Sequence, residues 1–463
     1  MTRSLWLGAA VAVGMAIAGL PAVGGLSRPG QLVLAITALC VVLWMSRALN
    51  AGVVSVLMMG LMVVSGVRPP LVLSGFANPG YWILLCVLFY GFAMDRTGLA
   101  RRLAYYILSL FPGTYTGILS AFLVLGSILA MGIPSMTVRT AIMVPVAWAM
   151  VQSLKLPAHS RGAALIILTT VEMAMVPGCG VLYGSLMGPI VEGLFRGKHF
   201  ELSWLGYAQV VGPPTLLLCV LIVAVNQLLL KPEFALHAGR GFAREQLAAL
   251  GPPSRQEWLT ALVVMASIVF WATDRAHHLP SFLAGMFGLV VFALAGIVRD
   301  PDIGGGISWT LLLFMGGIFS LANVLQEYKI TDWLAGYLVP VARQLTHSPV
   351  ALVIVLAAAT YAMRFIDPSS LIAMPLLFLP ISDTVIAAGI PPLVAMAPLV
   401  IASVPFWLSY QNIWVAMAEG LTDGKAFTAR QRLVFATAYA VLALAALAAG
   451  VAYWKWTGVM GTS

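Results

Sequence analysis

Long apolar stretches recur along this chain and restrict the folds that it can adopt. A helix needs about 20 mostly apolar residues to cross a bilayer, and stretches of this kind run almost from end to end. Of the 463 residues, 61% are hydrophobic and only 9% are charged, whereas about 25% of an ordinary soluble domain is charged. In water such a chain would expose large apolar patches. The sequence therefore predicts an all-α integral membrane protein.

The apolar stretches separate into simple spans and two complex regions, 115–195 and 348–418. The first stretch resembles a signal peptide, but no small-residue cleavage site ends it, so we expect a retained helix. The longest polar linker is 231–256. The simple candidate spans are 4–23, 31–48, 51–67, 80–95, 207–230, 257–273, 280–298, 307–325 and 433–455.

Basic residues are distributed unequally between the loops. If the N-terminus is cytoplasmic and the spans alternate, most lysines and arginines fall in cytoplasmic loops, as the positive-inside rule requires. This result requires a hairpin in each complex region that enters and leaves on the same side. We therefore expect a multi-pass inner-membrane protein with a cytoplasmic N-terminus and a C-terminus outside. Basic loops account for the net charge of +9, and nucleic acid is not an expected partner.

The two halves of the chain have the same order of parts. Each half has a long apolar helix, an amphipathic segment, a broken hairpin and a broken helix. The amphipathic segments, 98–111 and 331–345, are typical of helices that lie on the membrane surface, unless each is the ragged end of a neighbouring span. Interrupted helices at matching positions indicate the substrate site of a transporter. Their exposed N-termini favour anions.

Four charged residues fall inside apolar regions: Arg139, Glu172, Arg364 and Asp367. A charge at the bilayer centre costs at least about 2.5–3.5 kcal/mol, so each is expected to face a cavity or a partner. Arg139 follows Ser135 by one helical turn, next to the first break, and Arg364 lies at the second hairpin's break. Two guanidinium groups near convergent breaks predict a site for a carboxylate or sulfate.

Structural roles for these charged residues remain open alternatives. Arg364 pairs with Asp367 in one of them, and in another the Arg139 side chain extends to the membrane interface. Glu172 is either a proton or cation ligand or a buried, hydrogen-bonded acid.

The polar residues at the other two breaks also have two readings. Ser409, Tyr410 and Asn412 either contact substrate or satisfy loose backbone near the fourth break. Gly178 and Gly180 serve backbone geometry or ligand binding. No phosphate loop or metalloprotease or hydrolase motif is present, so neither an enzyme nor a cofactor is expected.

The first hairpin tip resembles that of the divalent anion/sodium symporter (DASS) family, whose members carry a Ser-Asn-Thr motif there. Here the tip is Ser135, Met136 and Thr137, followed at the family's spacing by Pro145. Met136 takes the place of the asparagine. A second similarity is the glycine-rich break at 177–189, PGCGVLYGSLMGP, although the family's Pro-Pro-Asn is missing.

The second half carries weaker similarities to the same family. SWTLLLFMGG resembles a family stretch rich in Leu and Gly, and PFWLSYQNIWV places Asn412 at the family's last break. The second Ser-Asn-Thr is not recognisable, and RFIDPSSLIAMP offers Ser369 and Ser370 instead. Because both tips are altered and an arginine lies near each, a fixed positive charge is the hypothesis that competes with sodium coupling.

The resemblance implies about eleven transmembrane helices with two re-entrant hairpins in inverted repeats, a scaffold, an elevator-type transport domain and a homodimer in the bilayer. Na+ is then the possible coupling ion. The candidate cation ligands, from the charge pattern and the resemblance together, are Ser135, Gly178, Gly180 and Glu172. The candidate substrate-binding residues, from the same two sources, are Ser135, Met136, Thr137, Arg139, Arg364, Asp367, Ser369, Ser370, Gly184, Ser185, Tyr410 and Asn412. The expected divisions are scaffold helices at 1–75, a first repeat at 76–230 with a hairpin near 115–152 and a broken helix at 160–195, a cytoplasmic linker at 231–256, scaffold helices at 257–300, and a second repeat at 301–463 with a hairpin near 348–385 and a broken helix at 391–418.

The expected function is secondary transport of a small di- or tricarboxylate or a sulfate-like anion, by sodium symport or anion exchange. A related alternative is an arsenite or sodium/proton transporter that uses Glu172 and Asp367. An alternative from another class is a membrane enzyme or assembly factor, which would require clustered catalytic side chains at an interface.

Overall fold

The structure is a computed structural model that describes residues 3–21, 25–233, 236, 239–365, 373–408 and 411–460. Throughout these ranges the regular structure is helical, and no β-strand occurs in them. Among the described residues, six helices are long and apolar enough to cross a membrane, and a bent pair of helices makes a seventh candidate. The predicted all-α membrane fold is confirmed, while the number of spans stays a prediction.

The N-terminal helices pack as antiparallel neighbours. Their starts are capped by side chains: Ser27 Oγ accepts a hydrogen bond from the Gly30 amide, and Asn50 Oδ1 accepts from Gly52 and Val53. Such caps satisfy amides that a helix leaves without partners. The elements are α1 (Arg3–Gly19), α2 (Arg28–Ser46), α3 (Ala51–Val64), the short α4 (Pro69–Val72) and a 3-10 turn (Ser74–Ala77).

The next group contains a helical hairpin and an interrupted helix. The elements are α5 (Pro79–Arg96), α6 (Leu99–Leu110), α7 (Tyr115–Gly132), α8 (Met136–Ser153), α9 (Arg161–Met175), a 3-10 turn (Val176–Gly180), α10 (Met187–Gly197) and α11 (Trp204–Leu229). Ser and Thr side chains cap α7, α8, α9 and α11.

Shorter helices connect this group to the second half. Arg102 on α6 binds this connecting segment through two hydrogen bonds. Its Nε donates to Glu257 Oε1 at 2.7 Å, and its Nη1 donates to the Gly251 carbonyl at 2.7 Å. The elements are α12 (Gly239–Ala249), α13 (Arg255–Ala272), α14 (Asp274–His277), α15 (Phe282–Leu294) and α16 (Asp300–Gly305).

The last group follows the order of α5 to α11. Gly98 lies between α5 and α6, and Lys329 lies at the corresponding place between the first two helices of the last group. Both residues have a positive φ, 83° and 55°. At the first junction the helices α5 and α6 are bent by 65°. The elements are α17 (Trp309–Glu327), α18 (Ile330–Thr346), α19 (Pro349–Met363), α20 (Ala373–Phe378), α21 (Ser382–Ala387), α22 (Pro392–Ile401), α23 (Ile413–Leu421) and α24 (Ala429–Trp456).

A carboxylate from the loop after α11 binds the start of α9. Glu233 Oε1 accepts from the Arg161 amide at 2.7 Å, and Oε2 accepts from the Gly162 amide at 3.2 Å. Burial raises the Glu233 pKa, but these backbone hydrogen bonds and the Arg161 side chain outweigh it and hold the pKa below its ordinary value. A carboxylate at a helix N-terminus stabilises the helix.

Glu233→Gln is therefore expected to lower stability at neutral pH by about 0.3–1 kcal/mol. The pKa of Glu233 is lower in the folded state than in the unfolded state. The stability difference between the variant and the wild type is therefore fully present above the unfolded-state pKa of about 4.3, and it disappears as the pH falls through the folded-state pKa. Thermal unfolding in detergent across this pH range measures it. Glu201→Gln, at an exposed residue, is the control. A difference that persists at low pH would contradict the assignment.

Candidate functional site

A cavity of about 1100 Å3 lies between the N-terminal helices and the tip of the α7–α8 hairpin. One wall contains Asn50 and Thr310, whose side chains are joined by a 2.9 Å hydrogen bond. The opposite wall contains residues 135–138 and the start of α23. Of the residues implied by the family resemblance, Ser135, Met136 and Thr137 line this cavity.

Two helix N-termini meet on the second wall. Ser135 caps α8 by accepting from the Val138 amide, and Thr137 lies in the first turn of that helix. The Trp414 indole Nε1 in the first turn of α23 donates to Thr137 Oγ1 at 3.0 Å. The first amides of each helix have no carbonyl partner within the helix, and the helix dipole makes this end positive. The arrangement suits a small anion.

Gln411 is a cavity residue that the sequence analysis missed. Its side chain is fully buried, and its Oε1 accepts from the Leu408 amide at 2.9 Å. Its Nε2 has no hydrogen-bond partner among the described residues. Gln411 lines the cavity, so this buried amide is a donor next to the cavity that has no protein partner among the described residues.

Asn412 has a backbone role in this structure. Its Oδ1 accepts from the amides of Trp414 and Val415, both at 3.1 Å, and so caps α23. Its Nδ2 donates to the Val404 carbonyl at 3.3 Å. Of the alternatives for Asn412, the described contacts correspond to the one in which it satisfies backbone at the break. An asparagine directly before an apolar run is a known N-cap signal, which identifies this role from sequence.

Arg139 lies behind the cavity wall, fully buried. Its Nε donates to the Ala174 carbonyl at 2.7 Å, and its Nη1 donates to the carbonyls of Ile133 and Gly184, both at 2.6 Å. It forms no ion pair with any described carboxylate. The guanidinium therefore joins the hairpin tip to the interrupted helix, and it does not extend to an interface.

The first interruption is the segment 176–186 between α9 and α10, and its glycines allow close packing. A Cβ on Gly178 would overlap the Gly184 carbonyl and the Arg139 guanidinium, whereas Gly180 faces Thr215 and Gly212 of α11. The Gly184 carbonyl accepts from Arg139, and none of these glycines lines the cavity.

Two other polar features belong to this interruption. Ser185 is buried, and its Oγ has no partner among the described residues. The Tyr207 hydroxyl donates to the Cys179 carbonyl at 2.8 Å. The interruption is thus held from α8 by Arg139 and from α11 by Tyr207.

The second half repeats part of this arrangement. Arg364, at the end of α19, is buried, and its Nη2 donates to the Gln411 carbonyl. An arginine of each hairpin thus reaches the interrupted helix of its own half. Five of the sequence-predicted site residues lie outside the described residues, namely Asp367, Ser369, Ser370, Ser409 and Tyr410.

Glu172 does not line the cavity, and it forms no ion pair with a described arginine. It is fully buried on α9, and its Oε2 accepts from Asn226 Nδ2 on α11 at 2.6 Å. The same Nδ2 donates to Thr169 Oγ1 at 3.0 Å. Its other oxygen, Oε1, has no partner among the described residues. The contacts are those of a buried, hydrogen-bonded acid, one of the two alternatives that the sequence left open.

Comparisons with known proteins identify the family of this chain. A family model described as the sodium:sulfate symporter transmembrane region matches residues 2–460. A membrane protein of Cupriavidus necator is 26% identical over 99% of this chain and 94% of its own length. The sodium-dependent dicarboxylate transporter SdcS of Staphylococcus saprophyticus is 24% identical over 82% of this chain and 77% of its own. Dicarboxylate transporter 1 of spinach chloroplasts is 23% identical over 72% of this chain, which spans 60% of that protein.

A solved structure has a similar fold. The YdaH transporter of Alcanivorax borkumensis aligns with a TM-score of 0.59 over 93% of this chain and 99% of its own, at 13% identity. At this identity the likeness concerns the fold alone. Because the family model covers almost the whole chain, this protein belongs to the sodium:sulfate symporter family, the DASS family that the hairpin tip and the helix breaks indicated.

Proposed function

We propose that this protein is a secondary active transporter that carries a small di- or tricarboxylate or a sulfate-like anion across the inner membrane by an elevator mechanism. The α7–α8 hairpin and the interrupted helices form the moving part, and the N-terminal helices belong to the scaffold. The named functions of relatives, among them dicarboxylate transporters, support an anionic substrate. The expected assembly is a homodimer, and no enzymatic activity is expected.

The meeting of two helix N-termini on one cavity wall carries this proposal. Helix amides, the Thr137 hydroxyl and the Gln411 amide offer hydrogen bonds to one anion, and the helix dipoles add positive potential. The cavity also reaches Arg3 and Arg47, at the end of the molecule that loop charge places in the cytoplasm. It therefore corresponds to an inward-facing state.

A second candidate function, arsenite or sodium/proton transport, gives the working role to Glu172 and Asp367. The position of Glu172 argues against it, because this side chain is fully buried against Asn226 and does not line the cavity. We therefore place anion transport first.

Gln411→Glu tests anion binding with little change of shape. Glutamate keeps an oxygen for the Leu408 amide and places a negative charge on the cavity wall. Two unit charges about 5 Å apart repel by about 3 kcal/mol at an effective dielectric constant of 20, so dianion affinity is expected to fall about 100-fold. Dicarboxylate-induced thermal stabilisation and uptake into proteoliposomes measure this loss.

Gln152→Glu is the matched control, because Gln152 is exposed at the far end of α8. This variant should bind and transport like the wild type. Unchanged dicarboxylate affinity in a folded Gln411→Glu protein would contradict the site. If no succinate, malate, citrate or sulfate stabilises the wild type in any salt, the proposed substrate class is wrong.

A further inference from the structure

A groove of about 460 Å3 lies between α6 and α12, at the end of the molecule that loop charge places in the cytoplasm. Its lining includes two arginines, Arg102 and Arg244, together with Tyr106 and the apolar side chains of Leu103 and Leu247. No described carboxylate is among its lining residues, and none of them lines the transport cavity. The groove is therefore a separate feature that combines positive charge with apolar surface.

Arg102 holds the two sides of the groove together. Its Nε and Nη2 donate to the two carboxylate oxygens of Glu257 at 2.7 and 3.2 Å, and its Nη1 donates to the Gly251 carbonyl at 2.7 Å. These contacts fix the loop after α12 against α6. Because Glu257 compensates the charge of Arg102, this arginine shapes the groove and leaves the second arginine to bind a ligand.

Arg244 carries the uncompensated charge of the groove. Its side chain is exposed, and it forms no ion pair with any described carboxylate. Glu245, the next residue, is exposed and does not line the groove. A guanidinium presents planar, paired donors that match the geometry of a phosphate. The charge in this groove therefore suits an anionic phosphate group.

Aromatic and apolar side chains place the groove at the level of the lipid headgroups. Arg102, Tyr106 and Leu110 follow one another at intervals of four residues and so share one face of α6. Tyr106 and Leu110 are 52% and 58% exposed, and tyrosine is typical of the membrane–water interface. On α13, which begins just after the groove, Trp258 and Leu262 are 67% and 66% exposed. This apolar surface suits the acyl chains of a lipid.

We propose that the groove between α6 and α12 binds the phosphate headgroup of an anionic phospholipid from the cytoplasmic leaflet. Arg244 pairs with the phosphodiester, and the acyl chains lie along the exposed side chains of α6 and α13. Basic pockets between membrane helices on the cytoplasmic side bind such headgroups in other proteins. Free phosphate shares this chemistry but gains nothing from the apolar surface. Because α6 connects α5 to the α7–α8 hairpin, the bound lipid stabilises this connection.

The test measures thermal unfolding of the purified, delipidated, full-length protein in detergent micelles with increasing mole fractions of dioleoyl phosphatidylglycerol. Dioleoyl phosphatidylcholine, which has the same chains and no net charge, is the reference lipid. A ligand of the folded state raises its stability, so the titration gives an apparent affinity. We expect a saturable rise in Tm with phosphatidylglycerol that phosphatidylcholine does not produce. Equal stabilisation by the two lipids overturns the proposal.

Arg244→Gln removes the uncompensated charge at an exposed position. We expect its apparent affinity for phosphatidylglycerol to fall about fivefold, which corresponds to about 1 kcal/mol per arginine near an anionic surface. Arg244→Lys keeps the charge and should recover most of this loss. Arg430→Gln is the matched control, because Arg430 is exposed and lies outside the groove, and it should bind like the wild type. Equal losses in Arg244→Gln and Arg430→Gln would reveal a general surface attraction and overturn the site.

Sodium phosphate and glycerol 3-phosphate distinguish a lipid from a soluble phosphate compound. Each is compared with sodium chloride at equal ionic strength, and we expect neither to raise Tm above that reference. If either one stabilises the wild type and Arg244→Gln abolishes the effect, the groove binds a soluble phosphate and the lipid proposal is wrong. None of these measurements uses the transported anion, so they decide the role of the groove even if the proposed anion transport fails.

Discussion

Gly178→Ala is expected to abolish most anion uptake and to lower Tm markedly. The added methyl group would occupy the space of the Gly184 carbonyl and the Arg139 guanidinium. Overpacking typically costs about 1–3 kcal/mol, and a lost hydrogen bond to a charged group about 1.5–3 kcal/mol. Together these are a large fraction of the stability of a domain, about 5–15 kcal/mol.

Gly60→Ala is the control for the glycine substitution. Gly60 lies within α3, and a Cβ there would meet nothing within 4 Å. This change should leave uptake intact and raise helix stability by up to about 1 kcal/mol. Thermal unfolding and proteoliposome uptake measure both variants. If Gly178→Ala retained wild-type Tm and uptake, the tight contact between the interruption and Arg139 would be refuted.

Asn226→Leu is expected to destabilise the protein strongly, because it removes the donor that Glu172 has on α11. A buried polar group left without a partner costs about 1–3 kcal/mol. Glu172→Met should cost less than Asn226→Leu, since the remaining amide keeps its contact with Thr169. In the double variant both polar groups are gone, and Tm should return toward that of the wild type.

This double-mutant cycle also separates the two candidate transport functions. We expect a coupling energy of about 0.5–3 kcal/mol between the two residues, measured by thermal unfolding. Anion uptake should survive in the double variant, because Glu172 does not line the cavity. A double variant with wild-type Tm and no transport would instead make Glu172 a working group, as the cation-exchange alternative requires.

The sequence predicted the membrane fold because its signals are local. Apolar length and the start signals of helices can each be read within about 20 residues, and the repeated order of parts is a comparison of such local signals between the two halves. The place of Arg139 could not be read in this way. Its carbonyl partners Ala174 and Gly184 are 35 and 45 residues away along the chain, and sequence does not show which carbonyls a break leaves without helical partners.

The cavity wall shows the same limit of prediction from sequence. Family resemblance indicated Asn412, and the structure makes it the cap of α23, while its neighbour Gln411 lines the cavity. A cap turns its side chain toward its own helix, so the neighbouring residue becomes the better candidate. Trp414 was missed because its partner Thr137 lies in the other half of the sequence.

The covalent attachment of the Arg139 guanidinium has an electrical consequence. A side chain stays with the carrier when the carrier returns empty. Under the proposed elevator movement, that return takes a positive charge outward against an inside-negative potential, which opposes it by up to about 2.3 kcal/mol per 100 mV. A carrier that returns loaded with a dianion avoids this opposition. We therefore expect membrane voltage to favour anion-for-anion exchange over net uptake.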